Sequence, residues 1–191
     1  MFRKLSIALF GVLIWPVSTM AQDTQSRTSP FYIAGAVGQS TFWDVELDGG
    51  GDLEFDLLAF FISGAVGYRV SPNLRAEAEW LFESADIDDS SAEIEVIRGT
   101  ISGYYDLAQT SMMGFSNITP YVGGGAGLAN VEVVDDENEL TFHAEAGLSM
   151  PITSNIDFVP GVRFEYIFLD DDDADDDLWI TQLRAGIRYS F

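Results

Sequence analysis

Residues 178–191 read LWITQLRAGIRYSF. Trp179, Thr181, Leu183, Ala185, Ile187, Tyr189 and Phe191 fall on one parity. Ile180, Gln182, Arg184, Gly186, Arg188 and Ser190 fall on the other. In an extended chain successive side chains point to opposite faces, so this segment has an apolar face backed by one holding two arginines. Such a strand suits a wall between lipid and a polar interior. A soluble sandwich strand alternates in a similar way, so the decision rests on whether the pattern recurs upstream.

It recurs seven times. Turn signals and period-two runs divide the chain into Phe31–Phe42, Leu57–Val70, Asn73–Phe82, Ile94–Leu107, Ile118–Val131, Leu140–Met150, Asn155–Phe168 and Leu178–Phe191. These segments are longer than most soluble strands but suit tilted strands crossing a bilayer. Charge within them keeps to one parity. Leu74, Ala76, Ala78, Trp80 and Phe82 oppose Arg75, Glu77 and Glu79, and Phe158, Val162, Phe164, Tyr166 and Phe168 oppose Asp157, Arg163 and Glu165. Phe142, Ala144, Ala146 and Leu148 likewise oppose His143 and Glu145.

On the polar parities six arginines (69, 75, 98, 163, 184 and 188) meet six carboxylates (Glu77, Glu79, Asp106, Glu145, Asp157 and Glu165). Matched numbers are expected of a narrow lumen, where an unpaired charge costs several kcal/mol. The sequence therefore predicts an all-β fold, an eight-stranded antiparallel up-and-down transmembrane β-barrel with a filled polar interior. Eight strands leave room for side chains and not for a general pore. Glycines 99, 103, 123, 125, 127, 147, 161 and 186 are read as relief where a curved wall crowds its interior. Tyr32, Tyr68, Trp80, Tyr121, Tyr166, Trp179 and Tyr189 are read as interfacial girdle residues.

The first 21 residues stand apart. Arg3 and Lys4 precede a mostly apolar run from Leu5 to Val17, and Thr19-Met20-Ala21 fits a cleavage site, as in a secretory signal peptide. The expected organisation is a cleaved leader over 1–21, a flexible lead over 22–30 and a barrel over 31–191. The chain carries 31 acids against nine basic residues, a formal charge of −22. Both lysine and one arginine fall in the leader, so the exported part is more acidic still. Nucleic acid is excluded as a partner on that ground. No cysteine is present, so no disulfide staples the fold.

Most acids lie in four of the connections, Ser40–Asp56, Glu83–Ile94, Glu132–Glu139 and Asp170–Asp177. Val70–Asn73, Gln109–Asn117 and Met150–Asn155 are short and nearly neutral. Antiparallel order sends these two sets to opposite ends. Asp170, Asp171, Asp172, Asp173, Asp175, Asp176 and Asp177 form the densest run, and hard oxygen ligands suit weak Ca2+ or Mg2+ binding. The run lacks the glycine and glutamate of the helix–loop–helix calcium motif, and a merely solvated, screened loop is the other reading. No other cofactor is expected. In the first connection Phe42, Trp43, Leu47, Leu53 and Phe55 are the candidates for touching a partner. Gly49-Gly50-Gly51 marks either a loop tip or the turn of a hairpin. Ser102 and Ser149 share inward parities with His143, the only histidine, but spacing supports no Ser–His–acid constellation.

The leader, the eight strands and the closing Tyr189-Ser190-Phe191 resemble the small outer-membrane β-barrels of Gram-negative bacteria, the opacity-type surface proteins and the OmpA-type membrane domain. That resemblance implies outer-membrane insertion, short periplasmic turns and long external loops. It also implies contact with outer-membrane lipids and lipopolysaccharide, and recognition of Phe191 by the barrel-assembly machinery. A monomeric structural or surface protein is expected, with a loop-mediated adhesin or binding protein as the alternative. A lipid-modifying enzyme is the remotest reading, since deacylase-type barrels place their residues on the outer wall and His143 falls on the inner one.

Overall fold

The computed structural model describes residues 29–43, 45–47, 51–53, 58–86, 93–112, 115–131, 138–168 and 178–191. Eight long strands make the wall: β1 (Phe31–Trp43), β2 (Leu58–Arg69), β3 (Leu74–Asp86), β4 (Glu93–Asp106), β5 (Phe115–Val131), β6 (Asn138–Pro151), β7 (Ile156–Phe168) and β8 (Leu178–Ser190). Each pairs antiparallel with its sequence neighbours, and β8 returns to β1 through Tyr32↔Ser190 to Trp43↔Trp179. Closure removes every unpaired edge, the requirement for strands in lipid.

Parity decides the two faces. Phe60, Ile62, Val66, Trp80, Phe82, Ile101, Phe164, Trp179, Leu183 and Ile187 are exposed on the outside. Arg98, Arg163, Glu165 and Gln182 are almost completely buried inside. The apolar-out, polar-in arrangement is the reverse of a soluble core and is stable only against hydrocarbon. No helix of the described residues is long and apolar enough to cross a membrane; this barrel crosses with strands.

The short connections are tied locally. Ser71 N and Val70 N donate to Leu74 O (3.0 and 2.8 Å), and Ile152 N donates to Ile156 O (2.8 Å). Two turn asparagines reach onto neighbouring strands, Asn73 Nδ2 to Asp106 O (2.9 Å) and Asn155 Nδ2 to Ser190 O (2.8 Å). The third connection folds further than its sequence suggests. Thr110–Met112 pairs with the start of β5, where Asn117 takes a positive φ of 63° at an irregular register. The first long connection contains the hairpin foreseen as one alternative, Val45–Leu47 against Gly51–Leu53.

Several expectations are corrected. Gly99 and Gly103 face outward into open space, so curvature does not require them, whereas Gly123, Gly125, Gly127 and Gly147 are crowded on the inside. Tyr32 and Tyr121 are not girdle residues; both rings turn inward and are buried. A Cβ at Gly67 would lie 1.9 Å from Tyr32 Cζ, and one at Gly147 would lie 2.5 Å from the Tyr121 hydroxyl. Each ring thus occupies the space a glycine leaves on a nearby strand. Phe42 also turns inward. It packs with Leu178 against the buried cluster Ala129, Ile167 and Ile180, which caps the lumen at the long-connection end. Pro160, which has no N–H to give, interrupts the β6–β7 ladder between Phe158↔Met150 and Gly161↔Gly147.

Candidate functional site

Among the described residues chemistry-bearing side chains converge in the interior, and they do so in layers. Nearest the short turns, Arg75 Nε donates to Asp106 Oδ1 (3.2 Å) and its Nη1 lies 3.4 Å from Glu77 Oε2. Glu77 also accepts from the Tyr32 hydroxyl (2.9 Å). The Arg75 guanidinium sits over the Tyr104 ring, 4.0 Å from its centroid, so its flat face is covered as well as its edges. On the opposite wall Arg188 Nη2 donates to Ser149 Oγ (2.7 Å), and its Nε lies 3.6 Å from Asp157 Oδ2.

The middle layer is a four-charge belt. Arg163 Nη2 lies 2.6 Å from Glu79 Oε2 and 2.7 Å from Glu145 Oε2. Arg184 bridges the same two carboxylates from the next strand, paired with Glu79 and 3.7 Å from Glu145. Tyr121 donates to Glu145 (2.8 Å). Arg163↔Glu145 is a directly opposed β7–β6 pair, so strand register alone brings these charges together. A slip of one residue on either strand would turn that strand's charge into lipid and strand its partner inside.

The third layer, beneath the apolar cap, holds Arg98 with Glu83 and Glu165, the latter 2.9 Å from Arg98 Nη1. Thr141 Oγ1 donates to Glu165 Oε1 (2.8 Å). Glu83 is a correction. The sequence places it in an acidic connection, but β3 continues to Asp86 and Glu83 is buried inside. Glu83 therefore joins the six carboxylates expected to face the arginines, and Glu139, half-buried on the same inward parity as Thr141 and His143, stands nearer the long connections.

Between these layers Ser102 Oγ lies 3.1 Å from His143 Nε2. Sequence spacing gives no sign of this pair, because the residues lie on β4 and β6, separated by β5. The space they share is kept open by Gly125, whose added Cβ would come within 2.6 Å of Ser102 Oγ. Hydrolytic chemistry needs an acid on the far side of the imidazole, yet His143 Nδ1 has no hydrogen-bond partner among the described residues. Ser149, the second candidate serine, is engaged by Arg188 instead. The lumen void beside Ala34, Ala36, Ser63 and Glu77 measures 40 Å³, room for a water or two. Organic ligand sites begin at about 300 Å³. The predicted metal run, Asp170 to Asp173 and Asp175 to Asp177, lies outside the described residues, as does the leader.

A family model described as "Outer membrane protein beta-barrel domain" matches residues 7–191. The chain belongs to that family. Among solved structures, this outer-membrane barrel is similar to Neisserial surface protein A, at 21% identity and a TM-score of 0.64, over 85% of this chain and 98% of that one. It is similar also to the outer membrane enzyme PagL, at 13% identity and a TM-score of 0.52, over 84% of this chain and 99% of that one. These likenesses establish the fold alone. No curated protein matches the sequence.

Proposed function

We infer that the protein is a structural, surface-exposed component of the Gram-negative outer membrane, with its acidic connections facing outward and with no catalytic role. The observation that carries this reading is the lumen. Three stacked layers of ion pairs, capped by Phe42, Ile167 and Ile180, leave a void of only 40 Å³. Such a lumen offers neither a general pore nor a pocket for an organic substrate. The Ser102–His143 pair is buried and lacks an acid, so it serves the polar network. Lipids are partners through the apolar outer wall. Tyr189 and Phe191 stack edge to face, with centroids 5.2 Å apart, and offer an aromatic end for the assembly machinery. A closed wall without free edges supports a monomer.

Fractionation with outer membranes and heat-modifiable gel mobility test the placement. Deletion separates roles: envelope leakiness alone supports a structural protein, while a loss of cell attachment with an intact envelope overturns that reading. The second reading, loop-mediated binding aided by divalent cations, is favoured by the hairpin Val45–Leu47/Gly51–Leu53, which gives an acidic connection a paired backbone. Calcium titration of the folded protein, with Asp170 to Asp177 changed to asparagine as the control, decides it.

A further inference from the structure

Among the three enclosed ion-pair layers, the charge surplus is confined to one. At the short-turn end Arg69, Arg75 and Arg188 balance Glu77, Asp106 and Asp157. In the middle Arg163 and Arg184 balance Glu79 and Glu145. Only the third layer is uneven, with Arg98 alone against Glu83 and Glu165. Both carboxylates are 1% exposed at the side chain, and the apolar cap lies above them. A net negative charge shut between an apolar cap and a neutral belt is costly unless something positive joins it.

A second observation places neutral donors in the same layer. Gln182 is fully buried on the inner face of β8, and neither its Oε1 nor its Nε2 has a hydrogen-bond partner among the described residues. It pairs in register with Ser40 on β1, which is also fully buried and whose Oγ likewise has no hydrogen-bond partner among the described residues. On the other side it pairs with Arg163, one inward step below Glu165. A buried primary amide with both ends idle is rare in a protein interior.

We propose that the Glu83, Glu165, Gln182 and Ser40 layer binds a single small monovalent cation of the sodium type. Hard carboxylate and amide oxygens suit such an ion. One positive charge brings this layer to neutrality, whereas a divalent ion would leave a surplus of the opposite sign. A proton on one carboxylate would balance the charge as well, but only a bound ion makes stability depend on sodium. The site lies inside the wall and stands independently of what the external connections contact.

The test is the unfolding midpoint of the intact protein in detergent micelles, read by heat-modifiable mobility. NaCl is titrated against N-methylglucamine chloride at constant ionic strength, so that general screening is common to both arms. A saturable rise of about 3–6 °C in sodium is expected when the ion reaches about ten times its dissociation constant. Glu83→Gln makes the layer neutral and should abolish the difference between the two salts. Gln182→Leu keeps every charge and should shift the titration to higher sodium, and it decides the matter if Glu83→Gln does not fold. Changing Asp170 to Asp177 to asparagine should leave the sodium response in place. Equal midpoints in the two salts would overturn the proposal in favour of a bound proton. A sodium response that survives both lumen variants would overturn it in favour of the connections.

Discussion

Arg163→Met removes the cation at the centre of the middle layer. Arg163 contacts both Glu79 and Glu145 within 2.7 Å and is 1% exposed. Once it is gone, Arg184 alone must serve two carboxylates, one of which it meets only at 3.7 Å. Breaking a buried pair by removing one partner costs about 3–5 kcal/mol. For a domain of this size each kcal/mol moves the midpoint by about 2–4 °C, so the expected fall is about 6–20 °C. Adding Glu145→Gln restores neutrality, leaving Arg184 with Glu79. The double variant should recover most of that loss, giving a coupling energy of at least about 2 kcal/mol. Midpoints from circular dichroism in micelles, checked by gel mobility, supply all four corners of the cycle. Two results refute the reasoning: a fall below about 1 kcal/mol for Arg163→Met, or a double variant as damaged as the two single changes added together.

Other expectations follow from the same geometry. Gly67→Ala puts a methyl 1.9 Å from the Tyr32 ring and should cost about 1–3 kcal/mol, while Gly64→Ala and Gly99→Ala, which meet nothing within 4 Å, should leave the midpoint unchanged. Glu77→Ala should be milder than Glu145→Ala in the same melts, because Arg75 keeps Asp106 at 3.2 Å when Glu77 is lost. In planar bilayers the purified barrel should give no porin-sized conductance steps; steps of that size would refute the filled lumen. Ser102→Ala should change thermal stability and leave fatty-acid release from phospholipid or lipid A at the vesicle background, and Ser102-dependent release would overturn the non-catalytic reading.

How far the sequence could be read depended on whether a property follows parity or stagger. Parity is local, so the wall, its two faces and seven of the strand-to-strand connections follow from period two and turn chemistry alone. The same rule even held the correction for Tyr32. It shares its parity with Gly38 and Ser40, while Phe31, Ile33 and Val37 alternate with it, and its place near a strand end invited the girdle reading instead. Glu83 failed for a different reason. A carboxylate near an acidic connection looks the same whether the strand stops before it or continues, and only the partner Arg98 on β4 distinguishes the two. Ser102 and His143 meet because the stagger of β4, β5 and β6 brings residues 41 positions apart to one height. No single strand records that height.

The distribution of arginine limits what the outer surface can do. Outside residues 1–28 every basic residue of the chain, Arg69, Arg75, Arg98, Arg163, Arg184 and Arg188, stands on an inward parity and meets an interior carboxylate. The wall therefore presents no cation of its own to the anionic headgroups of a membrane, and the long connections carry none in their sequence. With two negative partners, attraction to phosphate is expected to run through mobile ions and to weaken when chelator removes divalent cations. A surface that used its own arginines would instead weaken with monovalent salt and ignore the chelator. Binding of the folded barrel to lipopolysaccharide-containing vesicles, measured in EDTA and in sodium chloride, distinguishes the two. With every arginine of the barrel wall turned inside, the first behaviour is the expected one.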